Sequence, residues 1–155
     1  MSEEPSHIEK IVSGGQTGAD RAALDVALEL GIPCGGWCPK GREAEDGRID
    51  SRYPLQETES TSYPVRTERN VIDSDGTLIL TDGPVTGGTA ATIKFVQQYK
   101  KPYLVIDLSL GGDSEIVREW EQTNRVRILN VAGPRESKTP GIYDKAVKFL
   151  RGIFC

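Results

Sequence analysis

Short apolar runs at 8–13, 32–37, 76–81, 102–108 and 126–132 alternate along the 155-residue chain with stretches of helical period. Nothing else in the sequence narrows the fold as much. A strand that hands over to a helix and then to another strand is closed by a crossover, which lays the strands parallel. The helical stretches fall at 18–30, 63–73, 88–99, 114–123 and 140–154. The expected architecture is therefore α/β: a three-layer, Rossmann-like open parallel sheet of about five strands with helices on both faces. The length suits a single domain, residues 1–155, with a core of useful size. Residues 1–7 read as a flexible N-terminus.

Signals at the element ends agree with this division. Leu24, Ala27 and Leu28 share one face of the first helix, Thr17 and Asp20 are spaced as a capping box at its start, and Gly31 stops it. Ile93, Phe95 and Val96 are the core candidates of the third helix, and the last helix opens with Thr139 as cap and Pro140 at its first position. The stretch 38–62 is too long and too charged for a simple connector. Leaving the carboxyl end of the second strand, it reads as a lid-like loop, with Trp37 or Tyr53 able to stack on a planar ring.

Charge and cysteines exclude several classes. With 19 basic and 23 acidic residues the net charge is -4, the wrong sign for general attraction to nucleic acid or an anionic membrane, so any anion site must be local. No apolar stretch nears the roughly 20 residues of a membrane span, and the opening residues are acidic and polar where a signal peptide starts basic, so a cytoplasmic location is expected. Cys34 and Cys38 form a C-x3-C pair, but the third cysteine is Cys155 and the single histidine is His7; no structural metal is predicted.

The chain holds 17 glycines, and their positions carry the functional signal. After the first strand stands Ser13-Gly14-Gly15-Gln16-Thr17-Gly18-Ala19-Asp20, and after the third Asp82-Gly83-Pro84-Val85-Thr86-Gly87-Gly88-Thr89, each running into a helix. Neither is a Walker loop or the G-x-G-x-x-G fingerprint. With the flavodoxin-like strand order 2-1-3-4-5 the first and third strands are neighbours, so both turns border one crevice. Two helix N-termini there, with hydroxyls from Thr17, Thr86 and Thr89, make a phosphate-sized anion site. Arg66, Arg69 and Asn70 share a face near the start of the second helix, and Arg135 and Ser137 follow the fifth strand on the same edge; a guanidinium grips phosphate bidentately. The expected binding set is Gly14, Gly15, Gln16, Thr17, Gly18, Thr86, Gly87, Gly88, Thr89, Arg66, Arg69, Asn70, Arg135, Ser137 and Trp37. Carboxylates are the acid/base candidates, Asp20, Asp82, Asp107 and Glu136, with Asp82 best placed beside its glycine turn; Asp82 or Glu136 would serve an enzyme of nucleotide-processing type.

Ser13 to Asp20, Gly36-Trp37-Cys38-Pro39-Lys40-Gly41-Arg42, Tyr53-Pro54-Leu55, Arg66 with Arg69-Asn70-Val71, Asp73-Ser74-Asp75-Gly76-Thr77, Thr86-Gly87-Gly88-Thr89 and Asn130 to Ser137 together resemble the molybdenum cofactor carrier protein family. The match runs over about 8–150. That family lies in a wider set of Rossmann-like domains with the lysine-decarboxylase-like phosphoribohydrolases and nucleotide-derivative sensors. The resemblance implies a homo-oligomer, dimer or tetramer, that binds a small phosphorylated ligand, molybdopterin in its molybdenum-loaded form, protecting it or passing it on without chemistry, with molybdoenzymes as the implied recipients. The phosphoribohydrolases use a Pro-Gly-Gly-x-Gly-Thr-x-x-Glu loop. Aligned on Gly87 and Gly88, the glutamate position is Lys94, a reversal of charge that spares phosphate cradling and favours binding over hydrolysis. A phosphoribohydrolase-like enzyme and a nucleotide-derivative sensor remain the alternatives.

Overall fold

A computed structural model describes residues 6–155. Most of the N-terminal stretch expected to be flexible, 1–5, lies outside the described residues, while the Ser6 hydroxyl donates to Glu121 Oε1 at 2.8 Å. The chain runs β1 (Lys10–Val12), α1 (Ala19–Leu30), β2 (Cys34–Gly35), β3 (Trp37–Cys38), β4 (Glu43–Ala44), β5 (Gly47–Arg48), β6 (Gln56–Glu57), α2 (Tyr63–Ile72), β7 (Gly76–Thr81), α3 (Gly87–Gln98), β8 (Tyr103–Asp107), α4 (Ser114–Thr123), β9 (Ile128–Ala132) and α5 (Ile142–Phe154). No helix among the described residues is long and apolar enough to cross a membrane.

The main sheet is parallel throughout, in the order β2-β1-β9-β7-β8. The expected 2-1-3-4-5 order is thus corrected. The fifth strand of the sequence, β9, stands between the first and the third, pairing Ile11 with Leu129 on one side and Thr77 with Asn130 on the other. Burial gives the reason: Leu129, Asn130 and Val131 are buried on both faces, as a central parallel strand requires, whereas Tyr103 and Val105 of β8 are each 36% exposed and suit an edge. Counted from β9 as first, then β1, β2, β7 and β8, the spatial order becomes 3-2-1-4-5, that of a doubly wound nucleotide-binding sheet. The β9-α5 unit, last in sequence, takes the first place of that arrangement.

Helices cover both faces. Ile11, Leu78, Leu80, Ile106, Leu129 and Val131 meet α1, α4 and α5 in one apolar cluster. Strand alternation turns Thr77, Ile79 and Asn130 to the opposite face, where α2 and α3 pack together and Asn130 donates to the Thr77 hydroxyl at 3.2 Å. Several local expectations are corrected by tertiary partners. Leu28 is 44% exposed rather than on the core face. Ile93 and Phe95 are only half-buried, leaving Val96 as the fully buried apolar residue of α3. The cap of α1 is Gly18, with no side-chain cap bond, because the Thr17 hydroxyl is taken by Glu45. The last helix starts after Gly141, not at Pro140, because the Glu136 carboxylate accepts the N–H groups of Gly141 at 2.6 Å and Tyr143 at 3.0 Å.

The segment 38–62 folds around a small core of its own, in which Cys38, Ala44, Ile49, Tyr53 and Leu55 pack on Leu24 of α1. Arg42 organises it. Its buried guanidinium donates to the carbonyls of Ile49, Leu55, Asp50 and Tyr53 at 2.8–3.2 Å.

Candidate ligand-binding cavity

In a 3-2-1-4-5 sheet the connections diverge between the strands numbered one and four, here β9 and β7, and ligands bind beyond their carboxyl ends. A cavity of about 250 Å³ opens there. The connection after β9 supplies Gly133, Pro134, Arg135 and Lys138, the start of α3 supplies Thr86, Gly87, Gly88, Thr89 and Thr92, and the first turns of α2 supply Tyr63, Pro64, Arg66 and Thr67. From the first glycine turn only Gln16 reaches the cavity, together with Asp20 on α1. Strand β9 thus displaces β1 from the crevice, and its connection takes the place expected for the first glycine turn.

The opening turn of α3 is the anion-friendly wall. Its cap residue Thr86 makes no side-chain bond to it, no acidic residue lies in the first turn, and Gly87 and Gly88 are exposed. Free backbone N–H groups and the positive end of the helix dipole face the opening.

The first glycine turn serves the fold instead. Gly18 has φ 82, and a Cβ on it would stand 2.3 Å from the Pro134 carbonyl oxygen, which accepts the Ala19 N–H at 3.3 Å. The Gly15 N–H goes to the Ser13 hydroxyl, the Thr17 N–H to Gln16 Oε1, and the Thr17 hydroxyl accepts the Glu136 N–H. The N–H groups of Gly15, Thr17 and Ala19 are thus engaged within the fold, and Gly14, Gly15, Thr17 and Gly18 do not line the cavity. Gly14 acts indirectly: a Cβ there would lie 2.4 Å from Arg66 Nη1, so the glycine leaves room for that guanidinium.

Arg66 is the best-held cation in the site. Its side chain is 13% exposed, Nη1 donates to the Thr67 hydroxyl at 3.1 Å and stands 3.6 Å from the Asp20 carboxylate, and its guanidinium carbon lies 5.5 Å from the Tyr63 ring centre. Nε is buried without a hydrogen-bond partner among the described residues. Burial pushes the Asp20 carboxyl up from 3.8 to about 6, against the lowering pull of Arg66, Arg21 and the N–H groups of Gln16 and Gly14.

The remaining expected residues are placed elsewhere. Arg69 donates to Glu59 at 2.8 Å and lies over the Trp37 ring at 5.0 Å, and Asn70 holds the Trp37 backbone through 2.8 and 3.0 Å bonds. Trp37 itself donates from Nε1 to Asp73 at 2.7 Å, so it is engaged away from the cavity. Ser137 donates to Glu45, and no residue of 38–62 lines the cavity. Desolvation works to raise the Glu45 carboxyl, yet the Ser137 and Thr17 hydroxyls and Arg135 hold it below its ordinary value. Asp82 pairs with Lys145 at 2.6 Å, Glu136 caps α5, and neither lines the cavity; Lys94 is exposed on α3 and does not line it either.

Tyr63, Thr67 and Lys138 line the cavity and were not among the expected residues. Tyr63 stands one turn before Arg66, a spacing that would have found it, whereas Lys138 follows from the β9 placement alone. Among the described residues no three His, Cys, Asp or Glu side chains gather as a metal-binding group.

Comparison with known proteins bears on this geometry. A family model described as the circularly permutated YpsA SLOG family matches residues 11–154. A crystal structure of a protein from Syntrophus aciditrophicus SB, described as a proposed molybdenum carrier, is 48% identical, covers 99% of both chains and superposes with a TM-score of 0.96. No curated protein matches the chain.

Proposed function

The chain belongs to the circularly permutated YpsA SLOG family, and from that membership and the cavity we propose that it binds and carries the molybdenum cofactor (molybdopterin), or a similar phosphorylated heterocycle, without covalent chemistry. The observation that carries this reading is the uncapped N-terminus of α3 opening on the same cavity as Arg135 and Lys138. The phosphate rests on the N–H groups of Gly87 and Gly88 and the Thr89 hydroxyl, with Arg135 and Lys138 at the rim. Backbone donors and a few local cations explain how a chain of net charge -4 holds an anion. The carrier description of the Syntrophus protein supports the choice of cargo.

Holding is favoured over cleavage because Asp82 and Glu136 are engaged by Lys145 and by the start of α5, and Asp20, the one carboxylate among the described residues that lines the cavity, is paired with Arg66 at 3.6 Å. Mass spectrometry of the small molecule released on denaturation, with molybdenum measured in the same sample, tests the reading. A phosphorylated pterin with molybdenum is the expected result. Release of free base from nucleoside monophosphates by the purified protein would overturn it.

A further inference from the structure

Arg66 differs from the other cations of the cavity in what surrounds it. Asp20, 3% exposed, stands 3.6 Å from Nη1 and offsets much of its charge, while Gly14 and Thr67 fix the plane of the guanidinium. Nη2 donates to no group among the described residues, although the side chain lines the cavity. A dianionic phosphate placed there would meet the Asp20 carboxylate. A neutral acceptor would not. Tyr63, half-buried and lining the same wall, lies beside the guanidinium with its ring centre 5.5 Å from the Arg66 Cζ, and gives an aromatic face to a planar group.

We propose that Tyr63 and Arg66 form the ring-recognition wall of the cavity and select a fused pyrimidinone ring, as in 6-oxopurines and pterins, over an aminopurine. This deepens the proposed function and rests on it for the phosphate end of the ligand. Arginine has only donors, so it matches a carbonyl oxygen on the ring edge. The exocyclic amino group of adenine presents donors at the same position and is left facing N–H groups, a mismatch that costs discrimination rather than phosphate binding.

Titration calorimetry with inosine 5′-monophosphate, adenosine 5′-monophosphate and ribose 5-phosphate tests this. Inosine monophosphate is expected to bind about tenfold or more tightly than adenosine monophosphate, and at least that much more tightly than ribose 5-phosphate. Arg66→Lys keeps a positive charge and the Tyr63 face but loses the fork, so it is expected to bring inosine monophosphate down to the level of adenosine monophosphate and to leave ribose 5-phosphate within about threefold. Equal binding of the two nucleotides overturns the ring selectivity while leaving the anion site standing. Equal losses of all three ligands in Arg66→Lys place the phosphate, not the ring, on Arg66 and overturn the proposal as well. Absence of binding by all three overturns it together with the phosphate site on which it rests. If the variant does not fold, the three affinities of the unmodified protein decide.

Discussion

The Asp20 carboxylate and the Arg66 guanidinium, 3.6 Å apart, are both among the least exposed side chains of the cavity. Burial outweighs the pairing and leaves Asp20 titrating at about 6. In the folded state it therefore keeps a proton that the unfolded chain has released above 3.8. The stability tied to this proton is fully present below about pH 4 and is lost as the pH rises through 6. At roughly 1.4 kcal/mol per unit the difference is on the order of 3 kcal/mol. Urea unfolding of the protein and of Asp20→Asn should show the unmodified protein gaining on the variant by that amount between pH 7 and pH 4. A gap that does not change with pH would show that Asp20 titrates normally.

Two glycines of the same turn are expected to fail differently. Alanine at Gly14 meets the far end of the Arg66 side chain, which can swing away only by leaving the buried Asp20 carboxylate, so a loss of about 1–2 kcal/mol is expected while affinity for inosine monophosphate falls about tenfold or more. Alanine at Gly18 meets the Pro134 carbonyl at 2.3 Å in a backbone with φ 82, and neither can yield cheaply. A loss of at least about 2 kcal/mol is expected, lowering Tm by roughly 5–8 °C. Thermal unfolding and ligand titration of both variants separate the two roles; similar profiles for both would contradict them.

Arg42 is predicted to hold 38–62 together. Replacing it with methionine keeps the apolar stem but leaves the carbonyls of Ile49, Asp50, Tyr53 and Leu55 without their donor, at a cost of about 2–4 kcal/mol. The damage should be local, since this segment has its own core beside Leu24. Limited proteolysis is expected to cut within 38–62 of Arg42→Met while β7 and β9 stay protected. Cleavage at the rate of the unmodified protein would refute the role.

Features that depend on neighbours along the chain were legible in the sequence. Strand β7, with all six residues buried, and α4, opened by Asp113 accepting the Glu115 N–H at 2.9 Å, stand where hydrophobic pattern and period place them. Strand order was not legible, because it is set by pairings such as Lys10 with Ile128 and Gly76 with Leu129, more than fifty residues apart. That one error placed the expected crevice between β1 and β7, where β9 stands. It also turned Gly14, Gly15 and Gly18 into phosphate ligands, although glycine needed for close packing and glycine needed for anions look alike until the partner is known. The second glycine turn lines the cavity all the same, since β7 borders the crevice in either order.

Gly88 offers the sharpest test of that second turn, because fold and ligand ask opposite things of it. No atom lies within 4 Å of where its Cβ would be, and it sits in the first turn of α3 without a positive φ. An acidic side chain in the first turn complements the helix dipole and replaces a flexible glycine, so Gly88→Asp is expected to stabilise the protein by about 0.3–1 kcal/mol. The same carboxylate would stand where an anionic ligand needs the helix end, and affinity for ribose 5-phosphate should fall about tenfold or more by like-charge repulsion. Gly88→Asn has nearly the same size and no charge, so it should lose much less affinity. Higher stability with unchanged ribose 5-phosphate binding in Gly88→Asp would place the phosphate away from α3.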